Sequence, residues 1–129
     1  MPKVNAVIKK ELYKIEITSP TGNLVIADEP VSNGGQDTGL SPKELLAAAL
    51  SACTMATLRM YVDKKGWDLA EIKVETELLL EEGQSTFKRK LQFTGPVTEE
   101  QKNRLIAVAN ACPVHKILSQ PMAFKTEAV

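Results

Sequence analysis

The run Ser41-Pro42-Lys43-Glu44-Leu45-Leu46-Ala47-Ala48-Ala49-Leu50-Ser51-Ala52-Cys53 decides how this chain is read. Ser41 is a favoured N-cap residue, Pro42 suits the first helical position, and Glu44 can return a bond to the Ser41 amide, which completes a capping box. The sequence therefore predicts a helix from Pro42 to about Lys65, stopped by Gly66. Its first half is Ala and Leu with no solvated face, so it is expected to be buried on every side. The stretch Arg59-Met60-Tyr61-Val62-Asp63-Lys64-Lys65 regains charge and should emerge at the surface.

On the N-terminal side, apolar residues alternate at Val4, Ala6 and Ile8, at Tyr13, Ile15 and Ile17, and at Leu24 and Ile26. These predict three half-buried strands, the last two joined through Pro20-Thr21-Gly22-Asn23. The segment from Glu29 to Gly39, with three glycines, a proline and no period, reads as a surface loop. On the C-terminal side the period returns to two at Ile72, Val74, Thr76, Leu78 and Leu80, and again at Phe87, Arg89, Leu91 and Phe93. With Glu81-Glu82-Gly83 between them, these are the arms of a long antiparallel hairpin. Thr98 and Gln101 form a second capping box, opening a helix on which Leu105, Val108, Ala109 and Cys112 recur until Pro113 interrupts. A short helix from Val114 to Ser119 and a last strand from Met122 to Thr126 complete the order βββ-α-ββ-αα-β. The expected class is α+β, a mostly antiparallel sheet around one long buried central helix, in a single domain spanning 1–129.

Sixteen basic and sixteen acidic residues cancel, and none are gathered into a basic block. That disfavours nucleic-acid and anionic-membrane partners. The first ten residues carry no apolar core followed by a cleavage site, and no apolar stretch is expected to span a bilayer, so the expected location is cytoplasmic. In such a reducing compartment two cysteines are expected to be thiols with redox or catalytic use rather than a staple.

Cys53 lies about three turns into its helix, beyond the reach of the N-terminal partial charge, and shares a flank with Leu46, Ala49, Ala56, Thr57 and Met60. A thiol left alone on that apolar surface is inert, so a cation must come from another segment: Arg89, Arg59 or the lysines of the first strands. Cys112, directly before Pro113, is placed to cap the short helix near free backbone N–H groups, with His115 three residues on. One His and two distant Cys lack zinc-ligand spacing, and no metal site is expected. Glu44, nine residues before Cys53, is about half a turn out of phase with it, so capping is its expected main task, with acid support for the thiol secondary.

The run 41–54, Leu58-Arg59-Met60-Tyr61 with Lys65-Gly66-Trp67, and Ala109-Asn110-Ala111-Cys112-Pro113-Val114-His115-Lys116 together resemble the OsmC/Ohr family, the osmotically inducible and organic hydroperoxide resistance proteins. The resemblance implies an OsmC-like fold, an intertwined homodimer, and thiol-dependent reduction of organic or inorganic hydroperoxides. In it Cys53 would be the peroxidatic cysteine and Cys112 the resolving one, joined as a disulfide that an external dithiol or dihydrolipoyl protein reduces, with no bound cofactor. Leu46, Ala49 and Met60 would give an apolar wall for substrate. The Ohr branch carries an acid immediately after the helix-opening proline, paired with an arginine of the N-terminal strands; here that place is Lys43, and residues 1–20 hold no arginine. Glu44 is the neighbouring acid, and Lys9, Lys10 or Lys14 could supply positive charge without arginine's bidentate fork. The departure leaves a second reading, a dimer that binds a small apolar ligand or electrophile at the subunit interface.

Overall fold

Three short strands open the chain in the computed structural model, which describes residues 1–129. They are β1 (Asn5–Ile8), β2 (Ile15–Thr18) and β3 (Leu24–Ala27), and they form one antiparallel sheet in that order. Ile17 pairs with Ala6 and Ile15 with Ile8, so the predicted alternation holds in register between β1 and β2, although every residue of β1 is exposed. It does not carry across to β3, where Leu24 and Ile26 stand opposite Thr18 and Glu16 and it is Val25 that shares the face of Ile17. These strands belong to the first of two units, Met1–Ala47; the second is Ala48–Val129.

The glycine-rich segment after β3 is a surface loop with an internal anchor. Asp28 is buried, and its carboxylate accepts from the amides of Tyr13, Glu29 and Thr38 and from the Thr38 hydroxyl. The Thr38 hydroxyl bond, assisted by the three amides and opposed by burial, holds the Asp28 carboxyl down at about 2. The loop closes tightly there: a Cβ on Gly35 would meet the Glu29 carbonyl oxygen at 1.9 Å, so only glycine fits.

Helix α1 (Pro42–Lys65) matches the expected limits and begins on the expected box, with Glu44 N–H donating to Ser41 Oγ at 3.2 Å and Ser41 N–H to Glu44 Oε1 at 2.9 Å. Burial on every side is not what the chain shows. Only Leu50, Thr54, Leu58 and Val62 are buried, one stripe at four-residue spacing, while Leu46 and Ala49 in the first half are exposed; Met60, 71% exposed, lies in the stretch expected at the surface. Within one chain the packing elements cover a single face of the helix, and its other apolar residues meet solvent. By length and composition α1 could cross a membrane, contrary to the sequence expectation. Its Leu58 and Val62 instead join Leu69, Leu105 and Ala109 in the core of the second unit.

The hairpin is β4 (Glu71–Glu81) and β5 (Gln84–Thr94), a separate two-stranded antiparallel sheet closed by Glu82-Gly83, with Gly83 at φ 83°. The expected single sheet is thus two sheets. Register sets Ile72 opposite Phe93, Val74 opposite Leu91, Thr76 opposite Arg89 and Leu78 opposite Phe87, all on the half-buried face. Ile72, Leu91 and Phe93 pack against the core from that face. Helix α2 (Glu99–Ala109) starts on the Thr98/Gln101 box and supplies Leu105 and Ala109, and α3 (Pro113–Leu118) follows after the turn. The strand expected from Met122 to Thr126 does not form: residues 119–129 carry no strand, and Phe124 is 87% exposed. The alternation is present, but a strand exists only through a neighbour's ladder and none pairs with it.

Candidate active site

Both sulfurs are held by the first turn of α3. Val114 N–H donates to Cys53 Sγ at 3.4 Å, and the next amide, His115 N–H, donates to Cys112 Sγ at 3.4 Å. Successive peptide groups therefore set the two thiols side by side, although 58 residues lie between them in sequence. Both are free thiols; Cys112 is buried and Cys53 is partly accessible. The capping role expected of Cys112 is present, since it is the N-cap residue of α3.

Arg89 supplies the cation. Period-two alternation puts it on the same face of β5 as Phe87, Leu91 and Phe93, so its guanidinium is carried inward rather than to solvent. Its Nη1 donates to Thr54 Oγ1 at 2.8 Å and to the Ala109 carbonyl at 3.1 Å, and its Nη2 to Asn110 Oδ1 at 3.2 Å. A guanidinium only donates, so its 2.6 Å contact with His115 Nδ1 makes that nitrogen the acceptor and leaves the imidazole proton on Nε2. Burial first, and then the Arg89 charge, hold His115 below its ordinary value. Thr54 passes the contact on: its hydroxyl donates to the Leu50 carbonyl at 2.7 Å and lies 4.0 Å from Cys112 Sγ.

The chain's ion pairs are Arg59–Asp63, Lys73–Glu71 and Lys102–Glu99, and none involves Arg89. Its positive charge faces no carboxylate, and the anion it can favour is a thiolate. Burial pushes the Cys112 thiol up, but the His115 N–H, the Cys53 thiol, Thr54 and Arg89 outweigh it and bring the thiol below its ordinary value.

Beside Arg89 and His115 opens a cavity of 470 Å³, also lined by Leu50, Ser85, Thr86 and Phe87. Leu46, Ala49 and Met60 do not border it; all three stand exposed. Glu44 is occupied by its cap: the Ser41 amide first, then the Ser41 side chain, hold its carboxyl below the usual range against burial. Of the two arginines suggested by sequence, Arg59 is engaged with Asp63 and the Leu69 carbonyl, which leaves Arg89. Thr54 and Asn110 escaped the sequence reading. Thr54 could have been found as the polar member of the 50, 54, 58, 62 stripe; Asn110 left no signal beyond its place before Cys112.

Comparison with known proteins bears on fold and family. No curated protein matches the sequence. The fold recurs in a Psychrobacter arcticus protein ascribed to osmotic stress induction and detoxification response (TM-score 0.79, 21% identity, 91% of this chain and 88% of that chain). It recurs in an OsmC-like protein from Mycoplasma pneumoniae (TM-score 0.76, 18% identity, 92% and 87%). It recurs again in an organic hydroperoxide resistance protein, OsmC, from Legionella pneumophila (TM-score 0.65, 19% identity, 92% and 88%). At such identities these likenesses establish the fold. A family model described as OsmC-like protein matches residues 34–127, a span that contains the capped helix, both cysteines and Arg89, and on that match this α+β chain belongs to the OsmC-like protein family.

Proposed function

We propose that the protein is a thiol-dependent peroxidase acting on organic hydroperoxides. The observation that carries the reading is the pair of sulfurs on successive α3 amides, beside an arginine that no carboxylate neutralises. Cys53, the accessible thiol, attacks the distal peroxide oxygen as thiolate; the O–O bond breaks, an alcohol leaves, and Cys53 becomes the sulfenic acid. Cys112 then attacks the Cys53 sulfur, water departs, and a disulfide remains. An external dithiol or dihydrolipoyl protein restores the thiols, and no bound cofactor is needed. Kinship with organic hydroperoxide resistance proteins of the same fold supports this assignment. The working form is a homodimer, a reading supported by the exposed apolar residues Leu46, Met60 and Leu80.

The pure protein should consume cumene hydroperoxide at the expense of dithiothreitol, and peptide mapping should recover a Cys53–Cys112 link after one turnover. Consumption no faster than with Cys53→Ser would refute the assignment.

A further inference from the structure

We propose that Cys112 does more than resolve: as the resting thiolate of the pair, it is the base that deprotonates Cys53. This rests on the reading of Cys53 as the attacking thiol. The geometry gives the two sulfurs unequal support. Cys112 has the His115 N–H at 3.4 Å, and 4.0 Å away lies the Thr54 hydroxyl oxygen, which takes a 2.8 Å bond from Arg89 and so holds that guanidinium close to Cys112. Cys53 has the Val114 N–H at 3.4 Å and no contact with the hydroxyl that holds Arg89. One negative charge shared by this pair therefore rests on the sulfur beside which Thr54 holds the Arg89 guanidinium. That sulfur is 0% exposed and hidden from a peroxide, whereas Cys53 is accessible. Stabilisation sits on one thiol and access on the other, and a proton passed between them combines the two.

The step balances. The Cys53 S–H proton moves to the Cys112 thiolate, and the Cys53 thiolate so formed breaks the O–O bond of the hydroperoxide. The departing alkoxide takes the proton back from Cys112, which returns as thiolate. That thiolate attacks the Cys53 sulfenic acid, forming the disulfide and releasing hydroxide. The hydroperoxide is reduced to alcohol and hydroxide as two sulfurs are oxidised. Arg89, held in place by Thr54, stabilises the base without touching substrate.

Cys112→Ser separates this role from resolution. A thiol that only resolves is dispensable for the first oxidation, so single-turnover loss of cumene hydroperoxide would keep its wild-type rate at every pH. As the base, its removal should slow that step about a hundredfold near neutrality, within the usual range for general-base catalysis. The deficit should then shrink as pH rises and Cys53 ionises unaided. Thiolate absorbance near 240 nm tests the same point without peroxide. Near pH 7.5 it should persist in Cys53→Ser and vanish in Cys112→Ser and in Cys112→Ala. Absorbance that survives in both Cys112 variants, or a first step unchanged in Cys112→Ser, overturns the inference. Should the wild type consume no hydroperoxide while its thiolate maps to Cys112, the peroxidase reading fails and with it the base role in that reaction, while the placing of the resting charge on Cys112 stands.

Discussion

Arg89 stands at a phase of β5 otherwise filled by Phe87, Leu91 and Phe93, and a charge in that row is costly unless it is used. Its four hydrogen bonds draw in β5, α1, the α2–α3 turn and α3, so one side chain orders the pocket as well as charging it. Arg89→Met should raise the Cys112 thiol, and it should let His115 titrate nearer its ordinary range, since one cause of its depression is gone. Thiolate absorbance against pH and the imidazole proton shifts report the two effects separately. Asp28 makes the contrasting case of a charge used for structure. Its carboxyl titrates at about 2, below the ordinary value near 3.8, so it stabilises the fold above about pH 4, and that contribution is lost as pH falls toward 2. Asp28→Asn should therefore be less stable near neutrality, and its urea midpoint should fall less steeply between pH 5 and pH 2 than that of the wild type. Arg89 was visible in sequence as the charge in an apolar row. Asp28 was not, because nothing in Ala27-Asp28-Glu29 signals that the distant amides of Tyr13 and Thr38 converge on it.

Elements whose limits depend on local chemistry were legible. The Ser41/Glu44 and Thr98/Gln101 boxes, Gly66 after α1 and the Glu82-Gly83 turn each fix a boundary within a few residues, and the structure follows them. Burial of α1 was read less well, because hydropathy reports which residues can be buried and not which face finds a neighbour. The side that does is decisive for stability. Leu58 is fully buried against Val62, Leu69, Leu105 and Ala109, and Leu58→Ala should cost about 2–5 kcal/mol as a cavity opens, measurable by urea denaturation. The strand expected at Met122 to Thr126 failed for the same reason as the buried helix: periodicity proposes an element, and a partner makes it.

At the scale of the molecule, the pairing of Cys53 with Cys112 lay beyond spacing arguments, since it depends on α1, β5, the α2–α3 turn and α3 meeting around the Arg89 side chain. The resemblance of short motifs suggested the pair, and the fold supplies its physical cause. Exposed Leu46, Met60, Leu80 and Phe124 leave much apolar surface on one chain. Light scattering at micromolar concentration should give twice the mass of 14.1 kDa, and Met60→Glu should shift the population toward the monomer. The arginine without a carboxylate has one more consequence, for redox poise. A disulfide between the two sulfurs would remove the thiolate that Arg89 favours, so its field would stabilise the reduced pair and not the oxidised one. A disulfide closed here would thus have a raised reduction potential and yield to mild dithiols, so the charge that favours the thiolate also eases its regeneration.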